Sequence, residues 1–358
     1  MANNNIIIIA EAGVNHNGSL KLAKKLCRRA AEAGADMVKF QIFKAEKLVT
    51  PDAQKATYQK EQTKQGENQL EMLKKFQLSR QDFRELSNFC EEIGIEDLYS
   101  VFDVGDVAVL LELGKSKVKI PSGEITNGPL LLEVARRGLD VILSTGMSDL
   151  AEVREALSVL AYGYTKPEVP QSRTDFKKIL KNISSLDKLR QKVTVLHCVS
   201  EYPAPVQEVN LRAMDSLADE FGLPVGFSDH TPGAAIAIAA VARGAKVIEK
   251  HFTLDRDLPG PDQQSSLEPQ EFKNMVNSIR KVELALGDGE KKCMRSEEKN
   301  KKIVRKSLVA AAEIRKGEKL NSENLAVRRP ATGISPLEYW NKTGKFVDRS
   351  YKENELIM

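Results

Sequence analysis

The chain has 358 residues, 41% of them hydrophobic and 29% charged, with 54 basic against 50 acidic side chains. Such a mixture buries a sizeable core, which excludes a disordered or collagen-like chain, and a net charge of +4 is too balanced to mark a nucleic-acid binder. The most apolar run, Ala234 to Ala242, is nine residues long, far short of the roughly 20 that cross a bilayer. No basic, long-apolar leader opens the sequence, and Cys27, Cys90, Cys198 and Cys293 are scattered without a Cys-x-x-Cys pair. The expectation is a cytoplasmic protein with reduced thiols, bound to neither membrane nor nucleic acid.

Short apolar runs alternate with longer amphipathic stretches. In chain order the runs are Ile6–Ala10, Met37–Gln41, Leu98–Phe102, Val118–Pro121, Val141–Thr145, Val193–Cys198, Val225–Ser228 and Val247–Lys250. They are short and β-branched-rich, as strands buried on both faces of a parallel sheet are. Between the first two, Ser19 can cap a helix whose Leu22, Leu26, Ala30 and Ala33 form one stripe and which Gly34 stops. Leu130, Val134 and Ala135 precede Gly138, and Ala235 through Val241 precede Gly244, in the same manner. Eight such units over about 280 residues predict a (β/α)8 TIM barrel, with a doubly wound sheet as the competitor.

Two stretches break the rhythm. Tyr162 to Lys192 reads as a surface excursion with some helix in it. After Gly287 the composition turns to charge, and short β-like pieces follow at Ser307–Ala311, Ile314–Leu320 and Leu325–Pro330. The predicted organisation is a barrel over 1–287, a linker over 288–306 and a small β-rich domain over 307–358.

The active site of a barrel lies at the C-terminal ends of its strands, and polar residues gather there. Glu11 ends the first strand. Lys39 and Gln41, two apart, share a face of the second. Lys119, Ser122 and Glu124 end the fourth, Ser144-Thr-Gly the fifth, and His197, Ser200 and Tyr202 follow the sixth. Ser228-Asp-His230 ends the seventh and Glu249-Lys-His251 the eighth. Lysines in such strands are rarely buried unpaired, so Lys39 and Lys119 read either as structural partners of Glu11 or Glu124, or as the cations of an anion cradle with Ser122, Ser144, Ser200 and Ser228. His230 and His251 are either core histidines or two ligands on adjacent strands. With no thiolate nearby, an octahedral divalent ion such as Mn2+ suits them better than structural zinc. His16 and His197 read equally as loop packing or chemistry. There is no Gly-x-Ser-x-Gly, Gly-x-Gly-x-x-Gly or Walker sequence.

Taken in order, Ala10-Glu-Ala-Gly-Val-Asn-His-Asn-Gly-Ser, Val38-Lys-Phe-Gln, Lys119-Ile-Pro-Ser-Gly-Glu, Leu143-Ser-Thr-Gly-Met, Leu196-His-Cys, Glu201-Tyr-Pro-Ala-Pro, Gly226-Phe-Ser-Asp-His-Thr, Ile248-Glu-Lys-His-Phe-Thr-Leu-Asp and Gly260-Pro-Asp resemble the sialic acid synthases, including their legionaminate and pseudaminate relatives. Ile314-x-Lys-Gly-Glu-x-Leu through Arg328-Arg-Pro-Ala-Thr-Gly-Ile-Ser-Pro is similar to their C-terminal antifreeze-like (SAF, β-clip) domain. The resemblance implies condensation of phosphoenolpyruvate with an open-chain N-acylated mannose-type sugar, giving a nine-carbon 2-keto acid and phosphate. It implies that Lys39, Lys119, Ser122, Ser144, Ser200 and Ser228 hold phosphoenolpyruvate, that Gln41, Tyr202 and Asp262 hold the sugar, and that Glu124 and Glu11 are the catalytic carboxylates. His230 and His251 would carry the metal, Mn2+ by preference over Mg2+ or Co2+. Arg329 would reach the sugar from the partner subunit of a domain-swapped homodimer. N-acetylneuraminate is the default product, with N,N'-diacetyllegionaminate as the alternative. Two other readings use the same residues: a catalytically weakened sugar-binding homologue, and another barrel enzyme using metal or phosphoenolpyruvate.

Four departures accompany the resemblance, the first being that the excursion from Tyr162 to Lys192 is longer than the family pattern leads one to expect. Tyr99-Ser-Val-Phe-Asp stands where Ser-Thr-Pro-Phe-Asp is usual, Gln263 where histidine is usual, and Ala331-Thr332 where Gly-Asn is usual.

Overall fold

The computed structural model describes residues 6–55 and 66–358. The chain forms two compact units, Met1–Gly287 and Asp288–Met358. In the first, eight parallel strands close into a barrel in sequential order. They are β1 (Ile7–Gly13), β2 (Met37–Ile42), β3 (Glu96–Val101), β4 (Lys117–Ile120), β5 (Asp140–Ser144), β6 (Val193–Cys198), β7 (Val225–Asp229) and β8 (Val247–His251). All eight predicted strands are present, their ends displaced by three residues at most. Each is followed by an outer helix: α1 (Leu20–Ala33), α2 (Arg80–Ile93), α3 (Val104–Glu112), α4 (Gly128–Arg136), α5 (Leu150–Thr165), α6 (Ala213–Phe221), α7 (Ala235–Ala242) and α8 (Pro269–Leu286).

Helix α1 begins and ends where capping chemistry dictates. Ser19 accepts from the Leu22 amide, and Gly34 takes φ +86° at the left-handed stop. Its buried stripe is Ala23, Leu26, Cys27, Ala30 and Ala33. Leu22, expected in that stripe, is only half-buried, because the face against the barrel runs through Ala23 and Cys27 instead.

Alternate residues of each strand point in and out. Outward ones such as Ile8, Val38, Phe40, Tyr99, Val118 and Phe227 pack under the helices in the main core. Inward ones make a separate apolar layer of Ile9, Met37, Leu98, Ile142, Leu196 and Val247. At Gly226 this layer has no room for a side chain, since a Cβ would sit 2.5 Å from the Val247 carbonyl and 2.6 Å from Leu196. The barrel is thus plugged, and any cavity opens above the plug.

The excursion carries short 3-10 turns at Arg173–Phe176 and Ile179–Lys181, then a helix, Ile183–Lys192, that feeds into β6. In the second unit β9 (Ser307–Ala310) pairs antiparallel with β10 (Leu325–Arg328). The expected middle piece forms only isolated bridges, Ile314 with Tyr351 and Lys319 with Phe346. Leu308, Ile314, Leu320, Leu325, Val347, Tyr351 and Ile357 fill the small core. The stretch read as a linker holds a short helix, Glu298–Val304, and the Lys302 carbonyl accepts from the Ala331 amide.

Candidate active site

Two residues beyond each member of the apolar plug, the inward position turns polar. Ile9 gives way to Glu11, Met37 to Lys39, Leu98 to Ser100, Ile142 to Ser144, Leu196 to Cys198 and Val247 to Glu249. Period two puts this second ring directly above the first.

Its centre is Lys39, almost fully enclosed, with Nζ 2.8 Å from Glu249 Oε2 and 3.3 Å from Glu11 Oε2. The Ser228 hydroxyl donates to Glu249 Oε1 at 2.9 Å. Burial would lift the Glu249 carboxyl, but Lys119 and Lys39 hold it down at about 2. Burial likewise would discharge Lys39, yet its two carboxylate neighbours keep its pKa above the ordinary lysine value. Glu249 takes the closer claim on that single charge. Glu11 is left with burial and two further carboxyls, Glu249 and Asp262, against Lys39, and its pKa rises to about 7. Lys39 thus pairs with Glu11, as the sequence suggested, but the carboxylate that the lysines hold down is Glu249, which had no role assigned from sequence.

Among the described residues no carboxylate is in contact with Lys119. Its Nζ donates to Ser144 Oγ at 2.7 Å and to the Ile120 carbonyl at 3.0 Å, and burial brings its pKa down to about 8. Beside it the Gly146 amide donates to Ser122 Oγ at 3.0 Å, and Ser122 Oγ lies 3.2 Å from Cys198 Sγ. A Cβ on Gly146 would sit 2.2 Å from Ser200 Oγ and 2.9 Å from Ser122 Oγ, so the backbone itself must face this cluster. Lysine, hydroxyls and a bare backbone turn thus meet across β4, β5 and β6, a set suited to a small oxyanion.

Glu124 sits in the turn Ser122–Glu124 above β4, half-buried. Asn127 Nδ2 donates to it at 2.7 Å, and burial raises its pKa despite that bond. Among the described residues no lysine pairs with it. On the opposite side of the mouth, a Cβ on Gly13 would be 3.1 Å from Glu11 Oε1, 3.4 Å from Gln41 Nε2 and 3.5 Å from Asp262 Oδ2. Those three groups therefore share one spot. Gln41 donates to Glu11 at 3.4 Å, and Asp262, enclosed, is raised to about 6 by burial.

His230 and His251 face each other with ring centroids 5.6 Å apart, and Tyr202 stacks on His230 at 4.3 Å. His230 Nδ1 donates to the Val199 carbonyl at 2.6 Å, which leaves its Nε2 as the lone-pair nitrogen. His251 Nδ1 is enclosed and without a hydrogen-bond partner among the described residues. Burial lowers both pKa values, His230 to about 4, and so favours the neutral form of each ring. Neutral imidazoles are metal-ligand chemistry, with His230 Nε2 held 3.4 Å from the Ser228 hydroxyl and His251 Nδ1 unpartnered among the described residues. No group of three or more His, Cys, Asp or Glu among the described residues could hold an ion. A cation held by the two imidazoles would take its remaining ligands from water and substrate.

Residues 26–291 match the NeuB family and residues 305–358 match the SAF domain. The chain belongs to the NeuB family. It is 50% identical to the N,N'-diacetyllegionaminic acid synthase of Campylobacter jejuni over 98% of each chain. It is 47% identical to the synthase of the same name from Legionella pneumophila, over 94% of this chain and 89% of that one. Among solved structures it resembles the N-acetylneuraminic acid synthetase of Leptospira borgpetersenii in complex with citrate, at 33% identity and a TM-score of 0.68, covering 84% of this chain and 93% of that chain.

Within this NeuB barrel, Glu11, Lys39, Gln41, Lys119, Ser122, Glu124, Ser144, Ser200, Tyr202, Ser228, His230, His251 and Asp262 all lie in or around the mouth above the plug. Arg329 is exposed on the second unit. His16 and His197 resolve to packing: the Gly18 amide donates to His16, and His197 donates to the Val209 carbonyl at 2.6 Å. In the altered third strand, Ser100 stands in register between Gln41 and Lys119 and is buried. Gln263 is fully buried, accepts from Thr253 Oγ1 and donates to the Asn15 carbonyl at 3.1 Å, so a packed loop occupies this departure. The sequence assigned no role to Glu249, Cys198 or Asn127. The first two carried a usable signal, two residues beyond a plug residue. Asn127 carried none, because its contact to Glu124 depends on how the turn folds.

Proposed function

We propose that this chain is a nonulosonic acid synthase that condenses phosphoenolpyruvate with open-chain 2,4-diacetamido-2,4,6-trideoxymannose to give N,N'-diacetyllegionaminate and phosphate. The observation that carries the reading is the polar ring itself: an oxyanion pocket around Lys119, a carboxylate pair around Lys39 and two neutral histidines share one mouth. The choice of sugar follows the relatives. Those at 50% and 47% identity are named for the legionaminate reaction, whereas the structure named for N-acetylneuraminate shares 33%. N-acetylneuraminate, the default from sequence, is accordingly the weaker reading.

In this reaction the methylene carbon of phosphoenolpyruvate bonds to the sugar aldehyde carbon. Water adds at the adjacent carbon, and the C–O bond to phosphate then breaks, with the keto group formed as phosphate departs. Lys39, Lys119, Ser122, Ser144, Ser200 and Ser228 hold phosphoenolpyruvate, with charged lysines matching its phosphate and carboxylate. Glu124, its pKa raised by burial, orients the water and takes its proton. Glu11, its pKa raised to about 7 by burial, is the second carboxyl and can give a proton to the sugar oxygen. Gln41, Tyr202 and Asp262 hold the sugar. A divalent cation, Mn2+ by preference, fits His230 and His251 and when bound supplies Lewis-acid polarisation of the aldehyde. Arg329 of the partner subunit completes the sugar site in a domain-swapped, cytoplasmic homodimer.

The test compares kcat/KM for 2,4-diacetamido-2,4,6-trideoxymannose and N-acetylmannosamine, with the product identified by mass. The diacetamido sugar should win by at least about tenfold, a discrimination within reach of one or two polar contacts. Preference for N-acetylmannosamine would overturn the choice of sugar while leaving the synthase reading intact.

A further inference from the structure

Asp229 and Lys250 belong to neither the plug nor the polar ring. The inward positions at the ends of β7 and β8 are Ser228 and His230, and Glu249 and His251, so the residues between them point outward from the barrel wall. Asp229 and Lys250 stand opposite each other in register. Lys250 Nζ lies 2.9 Å from Asp229 Oδ2, and both side chains have 0% exposure. Lys250 also donates to the Thr231 carbonyl. Asp229 Oδ1 accepts from the Thr231 amide at 2.9 Å and from its hydroxyl at 2.7 Å.

The cluster is hard to explain by stability. An ion pair this deeply enclosed loses to desolvation much of what its Coulomb attraction returns, and apolar replacements of similar volume are often as stable or more so. The placement offers a better reason. Asp229 and Thr231 bracket His230 in the chain, and Lys250 immediately precedes His251. One ammonium therefore ties the backbone on either side of the first imidazole to the backbone beside the second. Hydrogen bonds set the His230 ring from the other direction, through Val199.

We propose that Asp229 and Lys250 are positioning residues: as a buried clamp across β7 and β8 they fix the separation and facing of His230 and His251, and so the affinity of that pair for a divalent cation. The proposal rests on the metal reading of the preceding section. It concerns geometry and not a change of protonation.

The experiment is Mn2+ titration of the full chain, read by loss of the free-ion electron paramagnetic resonance signal. It uses the unaltered protein and the charge-neutral double variant Asp229→Asn/Lys250→Met. Thermal melting and phosphoenolpyruvate affinity are measured alongside. The clamp predicts that the double variant keeps its fold and binds phosphoenolpyruvate within about twofold, while its Mn2+ affinity falls about 10- to 100-fold, the usual effect of losing a group that orients a ligand. A folded double variant with unchanged Mn2+ affinity would overturn the proposal. An unaltered protein that takes up no Mn2+ would overturn the metal reading, and the clamp with it. Should the double variant not fold, Asp229→Glu keeps both charges and lengthens one arm. Weakened Mn2+ binding with normal phosphoenolpyruvate binding would then support the clamp, and unchanged Mn2+ binding would overturn it.

Discussion

Ile142 and Ser144 lie two residues apart on β5, both pointing into the barrel, yet they belong to different worlds. The first sits in a dry layer with Ile9, Met37, Leu98, Leu196 and Val247. The second accepts a hydrogen bond from a buried lysine, in a ring that also holds Glu11, Lys39 and Glu249. One strand repeat, about 6.6 Å of rise, separates a layer that only stabilises from a layer that only costs. Taking charges out of water is expensive, and the ring keeps them enclosed by pairing each with a neighbour that a substrate could later replace. The plug makes this arrangement affordable by closing the barrel floor.

Several substitutions would break or sharpen that contrast. The largest effect should come from Glu124→Gln, which removes the proposed base while keeping the side chain's volume and its contact with Asn127. Turnover should fall about 10²–10⁴-fold, with phosphoenolpyruvate binding and melting temperature kept, and a near-normal kcat would remove Glu124 from the chemistry. Ile142→Ala should do the reverse. It should lose about 2–5 kcal/mol of stability from the cavity left in the plug, read by denaturant unfolding, while kcat per folded molecule stays within about twofold.

The pH dependence follows from Lys119. Its pKa is lowered to about 8 by burial, so it is charged below that pH and neutral above. With anionic phosphoenolpyruvate as its partner, kcat/KM for that substrate should decline as pH rises through about 8, toward tenfold per unit. Ser144, Lys39, Glu11, Glu249 and Cys198 are the groups around it. Ser144→Ala is the smallest change. It removes the hydroxyl that accepts from Lys119 and should raise the KM for phosphoenolpyruvate about tenfold with little change in melting temperature. If Ser144→Ala instead destabilised the fold as much as Ile142→Ala, the two layers would not be distinct in function.

The same contrast explains what the sequence disclosed. The plug and the outer wall were legible because β-branched runs of fixed length followed by polar residues admit few parallel-sheet solutions. Period two then carried the reading from apolar positions to Lys39, Ser144 and His251. It did not reveal which charges pair. Lys39 turned to Glu249 as well as Glu11, and Lys119 to Ser144, because pairing across a closed barrel depends on register between strands far apart in sequence. The middle piece of the second unit was read as strand from Ile314 to Leu320 but only touches its neighbours at two bridges. Turns at Gly317 and at Lys342–Lys345 interrupt the pairing on either side.

The most direct test of the synthase reading is to run the reaction in 18O-labelled water with Mn2+ and 2,4-diacetamido-2,4,6-trideoxymannose, and to weigh the phosphate released from phosphoenolpyruvate. Condensation with C–O cleavage predicts release only when the sugar is present, and phosphate that carries no label. Labelled phosphate, or equal release without sugar, would mean that the polar ring hydrolyses the phosphate ester and does not join carbon to carbon.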